Sequence, residues 1–204
     1  LLRIGPGPDT TVSWMHGPQR AVDPTPAAVA SALSASRSGG TDINGAVLLL
    51  DARFPLPADE LLNRLLDGPA DVWHGGLALG LDGQPRLWDH VDPLSMFSAR
   101  LDPTIDATSW RVSLRALLVR TAVLEQLGGP DAGFETLAGG GLEMGLRWIR
   151  AGALVRHVPD LVPDDADLDV APTAADGLRL VGRHRGRVWA GWALQRALLS
   201  HEVT

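Results

Sequence analysis

A chain of 204 residues with 45% apolar content carries enough side chains for one ordinary hydrophobic core, and the expectation is a single domain spanning 1–204. A formal net charge of -6 argues against a nucleic-acid partner, and the absence of Cys excludes disulfides, thiolate metal sites and a cysteine nucleophile. All 18 basic residues are Arg and there is no Tyr, so a lysine Schiff base, a P-loop lysine and a tyrosine acid are excluded as well.

Along the chain, Leu1 to Pro8 lacks the basic-then-apolar layout of a signal peptide, and Thr11 to Met15 reads as a short strand. Thr25 and Pro26 form a helix start, with Thr25 as N-cap and Pro26 at the first helical position, for a helix over Ala27 to Arg37. Ala46 to Leu50 is the longest uninterrupted apolar run. It is far short of the roughly 20 residues a bilayer crossing needs, and it has the pattern of a strand buried on both faces. Asp51 closes that strand, at the end where open α/β sheets gather their ligands. The expectation from these features is a cytoplasmic α/β chain.

Ala58 to Leu66 carries apolar residues at 61, 62, 65 and 66, a one-sided helical stripe, and Asp71 to Leu79 reads as a further strand. Asp82 to Ser109 reads as a long irregular connection over the sheet. Trp110 to Arg120 begins strand-like and passes into a helix, Thr121 to Leu127, closed by Gly128 and Gly129. A helix over Leu142 to Arg150, a strand over Leu154 to Val158 and an acidic loop over Pro159 to Asp169 follow. The last element is one basic amphipathic helix over 176–200.

Two stretches together resemble family 2 glycosyltransferases of the GT-A fold. Val47 to Pro57, VLLLDARFPLP, is similar to the strand and acidic turn that carry the family's Asp-x-Asp motif. Leu117 to Pro159 is similar to the acceptor-side block. There Arg120, Gly128, Gly129, Leu146, Arg147, Ala151, Gly152, Val158 and Pro159 match in order. The resemblance covers roughly Gly45 to Leu199, and the closing helix with Arg183 to Arg187 and Trp189 adds a weaker match. It implies a mainly parallel central sheet flanked by helices, an abbreviated N-terminal nucleotide-binding half, and transfer of a sugar from a nucleotide-sugar donor to a hydroxyl acceptor. The departures are chemical. The second acid of Asp-x-Asp, which in the family ligates a divalent metal, is Arg53 here, and the acidic pair that supplies the general base corresponds to Gly140 and Gly141.

The candidate site follows from these matches. Glu143 is the nearest carboxylate to the missing pair and the candidate general base. Two positions along a helix rotate it by about 200°, however, and its plainer reading is a structurally paired helix acid. Arg53 is a candidate to neutralise a diphosphate in place of Mn²⁺ or Mg²⁺, since guanidinium matches phosphate oxygens as a fork; its plainer reading is a surface arginine. Asp51 has two open readings, a nucleotide contact or a turn cap. Trp110 as a stacking platform, Asp89 and His90 as a polar pair in the long connection, and Arg147 are the candidate acceptor contacts. Scattered His74, His90 and His157 lack ligand spacing, so no metal site is expected. Arg183 to Arg187 offers peripheral membrane contact. The alternative to a transferase is an inactive relative of the same fold, kept as a binding or assembly module.

Overall fold

The computed structural model describes residues 2–4, 11–12, 17–18, 20–38, 45–76, 86–91, 104–163 and 172–200. In chain order the elements are β1 (Leu2–Ile4), β2 (Thr11–Val12), β3 (Gly17–Pro18), β4 (Arg20–Val22), α1 (Pro26–Ser38), β5 (Ala46–Asp51), α2 (Asp59–Asp67) and β6 (Val72–His74). They continue with α3 (Arg86–Asp89), β7 (Ala107–Thr108), β8 (Ala116–Arg120), α4 (Thr121–Leu127), α5 (Leu137–Arg150), β9 (Val155–His157), a 3₁₀ turn at Pro159–Leu161, α6 (Ala174–Arg185) and α7 (Arg187–Leu199).

Seven strands form one sheet in the order β4-β1-β5-β8-β6-β9-β7, beside a separate β2-β3 pair. The β4–β1, β1–β5 and β6–β9 pairings are parallel, whereas β5–β8, β8–β6 and β9–β7 are antiparallel. The protein is thus α/β, and its sheet is mixed where the sequence reading expects a mainly parallel one. The reversal at β8 has a local cause: the chain enters this strand from the edge where β5 and β6 end, so β8 must run back between them.

Alternation along the strands divides the core into two faces. Leu48, Leu50, Trp73, Ala116 and Leu118 pack with Leu62 of α2 and with Leu161. Val47, Leu49, Val72, Leu117, Val119 and Val155 pack with Val29 and Leu33 of α1, with Val123 and Leu124 of α4, and with Met144 and Trp148 of α5. A third cluster unites α3, α5, α6 and α7 through Leu87, Trp88, Leu142, Leu146, Leu180 and Ala193.

Several starts and stops match the sequence signals. The Ala28 amide donates to Thr25 Oγ1 at 3.2 Å, and β8 passes directly into α4 at Thr121. Two helices differ from expectation. Helix α5 begins at Leu137 and not at Leu142, so Gly139 to Gly141 is helical; Thr136 caps it by accepting the Gly139 amide at 3.0 Å. The single closing helix is two, because Gly186 at φ 94° breaks the chain between α6 and α7. The strand expected over Asp71 to Leu79 covers Val72–His74, with 77–79 outside the described residues. Most of the connection at 82–109 also lies outside them.

The glycines of α5 have a packing reason. An interior helical Gly costs about 1 kcal/mol relative to Ala, so a run of them needs compensation. A Cβ at Gly141 would overlap the Val112 carbonyl oxygen, and one at Gly145 would overlap that of Trp110. The bare face of α5 therefore lies directly on the backbone leading into β8.

Candidate functional site

Strand β5 carries Asp51 to the edge of the sheet, and alternation puts it on the same face as Leu49. The register Leu50↔Ala116 brings the start of β8 alongside, and the Asp51 amide donates to the Arg115 carbonyl at 2.6 Å. The Asp51 carboxylate is 2% exposed and surrounded by donors. Its Oδ1 accepts the Arg53 amide at 3.0 Å and Arg53 Nε at 2.9 Å, while Oδ2 accepts Arg53 Nη2 at 3.1 Å and Arg115 Nη1 at 2.9 Å. Burial pushes this carboxyl's pKa up, but the hydrogen bonds from Arg53 and Arg115 outweigh it and hold the group below its ordinary value.

Of the two open readings of Asp51, the turn is the one occupied. Arg53 folds back on it as a bidentate fork, although 65% of the Arg53 side chain remains exposed. The charge reversal seen in the sequence has therefore produced an internal ion pair.

Beside this pair lies a cavity of about 210 Å³, between the chain entering β8 and the first turn of α5. Arg111, Ser113 and Arg115 line one wall; Glu135, Thr136, Leu137 and Ala138 line the other. Arg111 is buried, and Arg115 spans from the cavity to Asp51. Glu135 is the carboxylate among the lining residues, paired with Arg179 at 3.0 Å and accepting the Thr173 hydroxyl at 3.2 Å. Buried Asp176 fixes this wall by accepting the Glu135 amide at 2.8 Å, the Thr136 amide at 3.0 Å and the Thr136 hydroxyl at 2.6 Å. Two arginines, Arg111 and Arg115, in the wall opposite the start of a 14-residue helix suit an anionic group.

The remaining predicted residues lie elsewhere. Glu143 is 1% exposed, does not line the cavity, and accepts Arg147 Nε at 3.0 Å and Nη2 at 3.2 Å. Arg147 in turn donates to the Leu127 carbonyl and, at 2.8 Å, to that of Gly129, while Trp148 Nε1 donates to the Gly128 carbonyl at 3.0 Å. Both Glu143 and Arg147 thus lock the end of α4 onto α5, and this use of the guanidinium replaces the expected acceptor contact. Arg120 does the same for α2, donating to the carbonyls of Leu66, Gly68 and Ala70 at 2.7 to 2.9 Å. Trp110 is buried in the third core cluster and offers no stacking face. Asp89 ends α3, with its side chain outside the described residues, and half-buried His90 sits in the turn that follows. His90 does not line the cavity.

Sequence reasoning missed Arg111, Arg115, Glu135, Thr136 and Asp176. Thr136 was legible as a cap; the others depend on which backbones meet. His74 and His157 face each other across β6 and β9, ring centroids 5.3 Å apart. Both nitrogens of His74 and Nε2 of His157 have no hydrogen-bond partner among the described residues. Burial lowers the pKa of each. Among the described residues no group of three or more His, Asp or Glu side chains is placed to hold a metal ion. No protein-family model matches the chain, and no curated protein matches it.

Proposed function

We propose that this chain is a GT-A-like domain that binds a nucleotide sugar through its phosphate or sugar portion and serves as a binding or assembly module without transferring the sugar. The observation that carries this reading is the commitment of the carboxylates. Asp51 is held by two arginines, and the positions of the acidic pair are glycines pressed on other atoms. At Gly141 the obstacle is backbone, so a carboxylate has no room there. Arg111 and Arg115 supply positive charge where the resembled family uses a metal.

The domain-level reading is supported by helices on both faces of a sheet in which five strands share a direction, and by β1 and β4 of only three residues each, a short N-terminal half. The cavity is below the about 300–1,000 Å³ of drug-sized sites. It takes one phosphate or sugar ring, with the nucleoside lying over the Asp51–Arg53 rim.

Thermal unfolding with uridine, guanosine and thymidine diphosphate sugars tests this. A ligand at 100 times its dissociation constant adds about 2.7 kcal/mol of apparent stability. The expected shift is the same with and without Mn²⁺, and it disappears in Arg111→Gln. No shift with any of them contradicts the proposal.

A second reading, an active transferase, is favoured by one observation: Glu135 places a half-exposed carboxylate in the cavity wall. On that reading donor consumption is measurable and falls at least about a hundredfold in Glu135→Gln, the scale of a lost general base.

A further inference from the structure

Helix α7 reverses the usual distribution of side chains on a surface helix. It buries Ala193 and Ala197, both 0% exposed, and leaves Val188 at 85%, Trp192 at 42% and Leu199 at 67%. At about 100° per residue these three outward residues fall within roughly 40° of one another, on the side opposite the alanines. Trp189 and Arg196 lie together along one edge of them. The Trp189 and Trp192 rings meet edge to face at 6.0 Å, and the Arg196 guanidinium lies 5.8 Å from the Trp192 ring centroid.

Charge selects the occupant of this face. The protein has a net charge of -6, yet Ala174 to Leu199 contains Arg179, Arg183, Arg185, Arg187 and Arg196 against the single, buried acid Asp176. Within that set Arg183 is paired with Asp131, Arg179 with Glu135, and Arg185 lies over the Trp88 ring at 6.0 Å. Among the described residues no carboxylate pairs with Arg187 or Arg196, the two arginines of α7.

We propose that α7 docks on an anionic lipid surface, lying in the headgroup plane. Val188, Trp192 and Leu199 enter the acyl boundary while Arg187 and Arg196 meet lipid phosphates. Aromatic side chains beside arginines on one helix face are the chemistry of that interface. A helix of 13 residues is about 20 Å long and lies along a membrane without crossing it. A second copy fits less well, since pairing α7 with itself brings like charges together. The Arg183–Arg187 cluster expected to make this contact contributes only Arg187, because internal partners hold the rest.

Co-sedimentation of the whole chain with vesicles tests the proposal, comparing phosphatidylcholine alone with an equal mixture of phosphatidylcholine and phosphatidylglycerol. The expected result is about tenfold or greater preference for the anionic vesicles, falling with added salt. Trp192→Ser, an exposed substitution, should lower binding to both kinds; Arg187→Gln with Arg196→Gln should abolish the preference alone. No binding to either vesicle, equal binding to both, or a dimer in solution that Trp192→Ser dissociates would each overturn it.

Discussion

The Asp51 carboxylate sits under two guanidiniums, and its four hydrogen bonds close the turn after β5. Because its pKa is lowered on folding, the pair's stabilisation is complete above the unfolded carboxyl value of 3.8 and is lost as pH falls through the folded value. Replacing the carboxylate with Asp51→Asn leaves Arg115 without its charge partner. Urea unfolding at pH 7 should show a loss of about 2–4 kcal/mol, and no loss would show the pair to be decorative. The histidines act in the same direction over a different window. Burial, assisted by Arg150, Arg147, Arg183 and Arg185, lowers His184 to about 4, and burial also lowers His74 and His157. Each is neutral when folded and binds a proton more readily when unfolded. Stability should therefore fall as pH drops below 6.5, with the His184 contribution ending near pH 4. Unfolding free energies at pH 7 and pH 5 check this; equal values would contradict it. At this scale Asp51 was legible as the terminal residue of a buried run. Its partner Arg115 was not, because only the reversed direction of β8 puts the two side by side.

At the level of elements, helix α5 is set by what lies against its glycines. A Gly→Ala change inside a helix ordinarily gains about 1 kcal/mol. At Gly141 and Gly145 the sign should reverse, since a methyl group there meets a carbonyl oxygen of the neighbouring segment. Gly141→Ala should cost about 2–4 kcal/mol in urea unfolding, and a stabilised variant would show that α5 and the 110–112 backbone are not in contact. The same contact explains why the sequence misled at this point. Three glycines in a row read as a helix breaker, and only the tertiary approach of another backbone makes them a helix face. The motif arginines were legible as residues but not as roles. Arg120 and Arg147 each gather carbonyls left unpaired at a helix end, a need set by local chain geometry. Arg120→Ala removes three such bonds and should lower stability by about 2–3 kcal/mol without altering ligand binding.

At the scale of the whole molecule, helices packed on both faces of a mixed sheet leave a cationic cavity at the edge where β5 ends. No helix among the described residues is long and apolar enough to cross a membrane. The cavity could not be read from the sequence, because its walls are separated by about twenty residues and one of them is held by Asp176, still further along the chain. The proposed function requires those walls to take a phosphate-bearing sugar without metal and without turnover. Calorimetric titration of nucleoside diphosphate sugars, repeated with EDTA and with Mn²⁺ and followed by assay of the released nucleoside diphosphate, tests it most directly. The expected result is saturable binding that is indifferent to metal, at least about tenfold weaker in Arg111→Gln, the loss of one charge-assisted bond, with no release over time. Release of nucleoside diphosphate dependent on Mn²⁺, or binding unchanged in Arg111→Gln, would contradict it.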